Sequence, residues 1–265
     1  MMKNPVKERL RQGEVSFGTW ITLGSLHATR LLARSGFEWL TLDLEHAPID
    51  WSHAASLIGA IADAGCVPLV RVPEGSVPFI KRALDAGAFG IVVPMVNNAA
   101  QGQLAIAAAK YPPIGVRSAG GGMHALNFRT TVEEYYQHAN DEILVVLQIE
   151  SPQGVENAEA IASLPGCDAI FIGPVDLRFT MRRTDGTFPS PEEHEAAVQS
   201  VLRACRRCGT PVGIHCMDAE SAVARARQGM QFLAVGSDLR MLASELGRWV
   251  ETLWPGRKPR EIGGY

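Results

Sequence analysis

The sequence predicts an α/β protein built as a single (β/α)8 TIM barrel. Short apolar, β-branched runs recur eight times, and amphipathic helical patterns separate most of them. The chain has 265 residues, close to the roughly 250 that one such barrel uses. Strand and helix in strict alternation imply parallel strands, and eight of them favour closure over an open sheet.

In chain order the strand candidates are residues 16–22, 39–45, 67–72, 90–96, 143–150, 169–173, 211–216 and 232–236. Seven of them are apolar almost throughout, the pattern of strands buried on both faces. Helical patterns occupy 51–64, 76–86, 99–110, 191–207 and 218–228. Gly36, Gly65, Gly87, Gly209 and Gly229 stand where a left-handed residue ends a helix. One connection breaks the rhythm. Residues 111–142 run through GVRSAGGGMHALNF to a helix expected at 132–139, and excursions this long are often functional. No linker, low-complexity segment or charge run divides the chain, so residues 1–265 are expected to form one domain.

Composition narrows the function. Hydrophobic residues make up 46% and charged residues 20%, enough apolar material for a large core. A net charge of −3 offers no basic surface for nucleic acid or an anionic membrane. The leading segment MMKNPVKERLRQGE is polar, and no apolar stretch reaches the roughly 18 residues of a spanning helix. Cys66, Cys167, Cys205, Cys208 and Cys216 are odd in number and irregular in spacing, so a reducing, cytoplasmic setting is expected. Cys205 and Cys208 form a C-x-x-C at the end of a helical pattern, not at the start of a helix after a strand. An inert pair is the expectation.

In a barrel, chemistry gathers at the C-terminal ends of the strands. That rule selects Asp43, Glu45 and His46 after the second run, Arg71 after the third, and Gln148 and Glu150 at the fifth. It also selects residues 173–176 after the sixth, His215 at the seventh, and Ser237 and Asp238 after the eighth. Glu150 and Asp176 come from neighbouring strands, and two carboxylates with open positions suit a hard ion such as Mg²⁺ or Mn²⁺. Asp176 has a competing structural use as the cap of the next helix. His46 can move a proton near neutral pH or serve as a structural hydrogen bonder. Arg71 can neutralise an oxyanion or pair with Asp43 or Glu45. Trp20 either walls the pocket or fills the barrel floor. Arg117, in the glycine-rich loop, either orders over an anionic ligand or stays in solvent. His27, His53, His138 and His194 read as surface positions, while His124 fits no single reading.

These residues together resemble the HpcH/HpaI aldolases, the class II pyruvate aldolases. The matching segments are GTWITLGS (18–25), LDLEHAP (42–48), LVRVPE (69–74), KRALDAGAFGIVVPMV (81–96), GVRS (115–118), HANDEILVVLQIES (138–151), DAIFIGPVDL (168–177) and AVGSD (234–238). They span nearly the whole chain in order. The resemblance implies a barrel of the phosphoenolpyruvate/pyruvate-binding type. It implies that 4-hydroxy-2-keto acids are cleaved to, or formed from, pyruvate and an aldehyde through a pyruvate enolate stabilised by Mg²⁺, Mn²⁺ or Co²⁺.

The same resemblance implies roles. Glu150 and Asp176 hold the metal. Gln148, Trp20, Asp176 and the backbone of Gly173, Pro174 and Val175 contact substrate, with no N–H from Pro174. Arg71 stabilises the enolate oxygen and His46 acts as base. Asp85, reaching over from a neighbouring subunit, raises the basicity of His46. That arrangement requires a homo-oligomer, and a homohexamer is the implied assembly.

Chemistry independent of the family agrees with a metal route. A Schiff-base route needs a lysine at the mouth, and none of Lys3, Lys7, Lys81, Lys110 and Lys258 lies at a predicted strand end. Departures from the family pattern follow GPVDL, where RFTMRRTDGTF brings Arg178, Arg182 and Arg183, and occur at Ser118 and in GGGMHALNF. The arginines suggest an acidic aldehyde partner, against the alternative of a solvated turn. Two other functions compete: acyl-CoA lyase chemistry like that of citrate lyase β proteins, and a non-catalytic barrel that binds a 2-keto acid. The first generally needs a more basic entrance than this sequence provides.

Overall fold

The computed structural model describes residues 1–257, so Lys258 lies outside the described residues. Eight strands form a closed barrel in sequence order: β1 (Ser16–Ile21), β2 (Trp39–Asp43), β3 (Val67–Arg71), β4 (Gly90–Val93), β5 (Leu144–Ile149), β6 (Ala169–Ile172), β7 (Val212–Cys216) and β8 (Phe232–Ser237). Every neighbouring pair is parallel, including β1 with β8. All eight expected runs are therefore strands. β2 stops at Asp43, two residues short of the expected end. The cause is local: Asp43 Oδ1 accepts hydrogen bonds from the Glu45 and His46 N–H groups, both at 3.1 Å, and folds the chain into a turn.

The five expected helices are present as Trp51–Asp63, Val77–Asp85, Ala99–Ala109, Pro191–Cys208 and Ala219–Arg227. Four have side-chain caps at their N-termini, from Asp50, Asn98, Ser190 and Asp218. Ser190 and Glu193 close a reciprocal capping box. Two further helices flank the barrel at Pro5–Arg11 and Asp238–Leu253. The first seals the N-terminal end of the strands. There Lys7 Nζ donates to the Ile143 carbonyl at 2.8 Å and pairs with Asp168 at 3.0 Å. Lys110 Nζ donates to Asn140 and Ile143 carbonyls in the same place. Burial and the neighbouring Lys7 charge push Lys110 down to about 7. Both buried lysines thus sit at the end of the barrel opposite the strand C-termini. No helix among the described residues is long and apolar enough to cross a membrane.

The barrel interior is packed, not hollow. Trp39 stacks on Phe232 at 4.2 Å, Phe232 meets Phe171 at 5.9 Å, and Phe171 meets Trp20 at 5.8 Å. This aromatic column runs from the lower barrel to the mouth. It depends on Gly18, where an added Cβ would lie 2.0 Å from the Trp39 ring.

The long connection after β4 contains helices Met123–Asn127 and Val132–Glu142, the second longer than expected by three residues. Arg117 neither covers a ligand nor faces solvent. Its side chain is fully buried, with Nη2 2.8 Å from Asp85, Nη1 donating to Tyr135 Oη at 3.0 Å, and its guanidinium 4.6 Å from the Tyr111 ring centre. A carboxylate, a hydroxyl and aromatic faces together make that burial tolerable. His124 is buried beside it, 4.1 Å from the Tyr135 ring, and among the described residues neither ring nitrogen has a hydrogen-bond partner.

Burial and the Arg117 charge push His124 down to about 4. An unfolded histidine titrates near 6.5, so between these values the unfolded chain binds a proton that the folded chain refuses. Acidification across that interval therefore destabilises the fold. In urea titrations from pH 7 to pH 4, wild type should lose more stability than His124→Phe, by up to about 1.4 kcal/mol per pH unit. Parallel curves for the two proteins would refute this account of His124.

Candidate active site

The strand C-termini open into a cavity at the mouth of the barrel. Its walls include Trp20 from β1, Asp43 and His46 from β2 and its turn, Arg71 from β3, and Gln148 from β5. The chain from Gly173 to Asp176, after β6, forms the opposite rim with His215 of β7. The structure thus brings together most of the residues expected at the mouth.

Arg71 is the central cation. Asp43 holds it in a two-point clamp, Nε to Oδ1 at 3.0 Å and Nη2 to Oδ2 at 2.7 Å. Glu45 Oε2 lies 3.3 Å from Nε, and the guanidinium sits 4.5 Å above the Trp20 ring centre. Burial alone would lower the Arg71 pKa, but the Asp43 hydrogen bonds and the Asp43, Glu45 and Glu150 charges raise it. Arg71 is paired with Asp43, and it still faces the cavity. Trp20 likewise fills the top of the aromatic column while lining the pocket. His46 is exposed at the rim, with Nε2 3.8 Å from Glu45 Oε2. Burial raises Glu45 to about 7, opposed chiefly by the Arg71 charge.

Glu150 is buried behind the mouth. Oε1 accepts the Met95 N–H at 2.8 Å, and Oε2 accepts from Gln148 Nε2. Met95 holds a left-handed φ of 53°, a costly conformation for a non-glycine residue, and it aims this N–H at the carboxylate. Burial pushes Glu150 up to about 7, against the hydrogen bonds from Met95 and Gln148. Asp176 stands in the first turn of helix Pro174–Thr180, whose N-cap is Gly173, so Asp176 is not the cap. The Gly173 N–H is spent on the Ile149 carbonyl at 3.2 Å. Gly173 therefore supplies space rather than an N–H: a Cβ there would fall 2.2 Å from Glu150 Oε2 and 2.8 Å from Gln148 Nε2. The first-turn N–H of Val175 is the remaining backbone donor from that trio.

These features fit a hard divalent ion. Glu150 and Asp176 present only oxygen, and a cation between them would favour the ionised form of Glu150 against the burial that raises it. Gln148 Oε1 is buried at the same spot without a hydrogen-bond partner among the described residues. Among the described residues no three His, Cys, Asp or Glu side chains could surround a metal, so other ligands would be oxygens of substrate or water.

A family model, HpcH/HpaI aldolase/citrate lyase, matches residues 16–244. The chain belongs to this family. It is 36% identical to a hydroxypyruvate/pyruvate aldolase of Pseudomonas aeruginosa over 92% of this chain and 90% of that one. It is 32% identical to a 2-keto-3-deoxy-L-rhamnonate aldolase of Escherichia coli strain K12 over 100% and 99%. A crystal structure of an HpcH/HpaI aldolase/citrate lyase family protein from Burkholderia cenocepacia J2315 superposes with a TM-score of 0.87 at 34% identity, covering 95% and 99%.

Within this HpcH/HpaI barrel, further contacts bear on the residues singled out from the sequence. Arg182 donates to the Gly186 carbonyl and lies over Phe188, and Arg183 bridges Glu193 and the Phe188 carbonyl. Arg178 also lies over Phe188. All three arginines fasten their own turn, which removes their support for an acidic partner. His194 is not a free surface residue, because its Nε2 donates to the Pro174 carbonyl at 2.8 Å and braces the rim. Nothing local in the sequence signals this bond, since it crosses 20 positions. Asp85 pairs with Arg117 of its own chain. Asp238, noted only as a strand end, accepts from Thr22 and Leu23 and pins the loop after β1. Cys205 and Cys208 are free, and burial raises the Cys205 thiol to about 12, which suits an inert pair.

Replacing Asp43 with Ala should strand the buried Arg71 charge. Urea unfolding should show a loss of about 3 kcal/mol. A loss below about 1 kcal/mol would mean that Glu45 and Trp20 hold Arg71 without Asp43.

Proposed function

We propose that this protein is a divalent-metal-dependent aldolase that cleaves or forms 4-hydroxy-2-keto acids, with pyruvate and an aldehyde as the other side of the reaction. The observation that carries this reading is the meeting of Glu150, Asp176, Arg71 and His46 at one mouth. Aldolase names among the relatives support it.

Glu150 and Asp176 would hold the ion, which supplies Lewis-acid stabilisation to a 2-keto acid. Gln148 and the Val175 N–H orient the keto acid beside them. In the cleavage direction, His46 accepts the proton of the C4 hydroxyl as the C3–C4 bond breaks and the aldehyde leaves. The electron pair left on C3 spreads onto the C2 oxygen, where the fixed charge of Arg71 opposes it without reorganising. His46 then returns the proton to C3, giving pyruvate. Asp43 serves two parts of this sequence, since it clamps Arg71 and shapes the turn that presents His46.

The assembly belongs to the same proposal. Leu242, Leu246, Trp249 and Leu253 form an exposed apolar stripe along helix Asp238–Leu253, as expected of a face buried between subunits of a homohexamer. The Asp85 carboxylate is a quarter exposed beside Arg117, so it remains able to meet a neighbouring subunit's His46. Five free cysteines support a reducing, cytoplasmic setting.

Pyruvate release from a panel of 4-hydroxy-2-keto acids tests the proposal, with and without Mg²⁺, Mn²⁺ or Co²⁺. Wild type should act only with metal, and Glu150→Ala should be at least about a hundredfold slower. Activity that survives both EDTA and the Glu150 change would exclude the metal route.

A further inference from the structure

We infer that His215 selects the aldehyde half of the substrate, accepting a hydrogen bond from a hydroxyl group on that aldehyde through Nδ1. The inference deepens the aldolase reading and rests on it.

Position comes first. Gln148, Glu150 and the Gly173 turn occupy the β5–β6 side of the mouth, where the keto acid binds under that reading. His215 lines the same cavity from β7, together with Met217 and with Ser237 of β8. That sector carries none of the residues assigned to the keto acid, and it is where the second half of a 4-hydroxy-2-keto acid has room to lie.

Geometry then fixes the tautomer. His215 Nε2 lies 3.0 Å from the Gly236 carbonyl. A carbonyl oxygen can only accept, so Nε2 carries the proton and donates it. The Gly236 carbonyl is turned toward the histidine by an irregularity in the sheet. β1 and β8 pair Gly18 with Ala234 and then Trp20 with Ser237, so β8 has one extra residue at this point. Gly236 there has a φ of 56°, which a side chain would resist. The Trp20 ring meets the imidazole edge-on at 6.3 Å and limits its rotation. Burial keeps the imidazole neutral, and the Arg71 and Arg240 charges act in the same direction. Nδ1 is left with a lone pair and no hydrogen-bond partner among the described residues.

A neutral nitrogen lone pair discriminates by chemistry. It attracts a hydroxyl hydrogen, repels a carboxylate, and offers nothing to a methyl group. The aldehyde class that fits is a hydroxyaldehyde. The three arginines after β6, turned into their own loop, supply no competing attraction for an acidic one.

Glycolaldehyde and acetaldehyde differ by one hydroxyl, and the ratio of their kcat/KM values in addition to pyruvate is the test. Each ratio is internal to one protein, so effects on folding or on pyruvate binding cancel. Wild type should favour glycolaldehyde. His215→Phe keeps a ring but no lone pair, and the ratio should fall about tenfold. His215→Asn places an acceptor oxygen near the position of Nδ1, and it should restore part of the preference. An unchanged ratio in His215→Phe overturns the assignment, as does a ratio lost equally in both variants. Exchange of pyruvate methyl protons for deuterium separates the two levels. Wild type that exchanges but shows no hydroxyl preference overturns only the role of His215. Wild type that does not exchange overturns the aldolase reading and this inference with it.

Discussion

Closure of eight parallel strands is the constraint on which the rest of this molecule depends. Parallel strands all end on one face, so a closed ring collects every strand C-terminus around a single mouth. The interior cannot hold solvent, and the column Trp39, Phe232, Phe171 and Trp20 fills it with rings. The top ring of that column is also the surface on which Arg71 rests. Packing and chemistry therefore meet at Trp20, and the mouth has a rigid apolar floor under its charges.

The buried charges Arg71, Glu150 and Asp238 at that mouth each have a partner. Asp43 holds Arg71, Met95 and Gln148 hold Glu150, and Asp238 holds the loop after β1. The exceptions are groups that the proposed chemistry would use. Gln148 Oε1 has no partner among the described residues, Glu45 and Glu150 are raised to about 7, and His46 stands exposed at the rim. A bound cation and a 2-keto acid would complete the set by supplying the missing charge and oxygen atoms.

The two ends of the barrel divide stability from function. Lys7, Lys110 and Asp168 form a buried polar knot under the N-termini of the strands, away from the substrate face. Arg117 and His124 do similar structural duty in the long connection after β4. A lysine with a lowered pKa or an arginine in a glycine-rich loop invites a catalytic reading, and here the tertiary contacts assign both to packing.

The barrel is legible in the amino-acid sequence, because a repeated apolar strand and amphipathic helix leave few other ways to bury both faces of a sheet. The strand-end rule also groups Glu150, Asp176, Arg71, Gln148 and His46 at one mouth, because each stands at or just after the end of a strand in a fold that gathers strand ends, while Trp20 stays open between pocket wall and barrel floor. What those groups touch depends on the folded chain. Arg117 is buried because Asp85, 32 positions away, neutralises it, and His194 braces Pro174 across 20 positions. Gly173 provides clearance instead of a hydrogen bond because Ile149 already takes its N–H. The proton of His215 sits on Nε2 because one extra residue in β8 turns a carbonyl toward it. Periodicity records which residues face inward. Partners brought together by closure of the ring leave no periodic trace, since their separation along the chain follows from topology rather than from any local repeat.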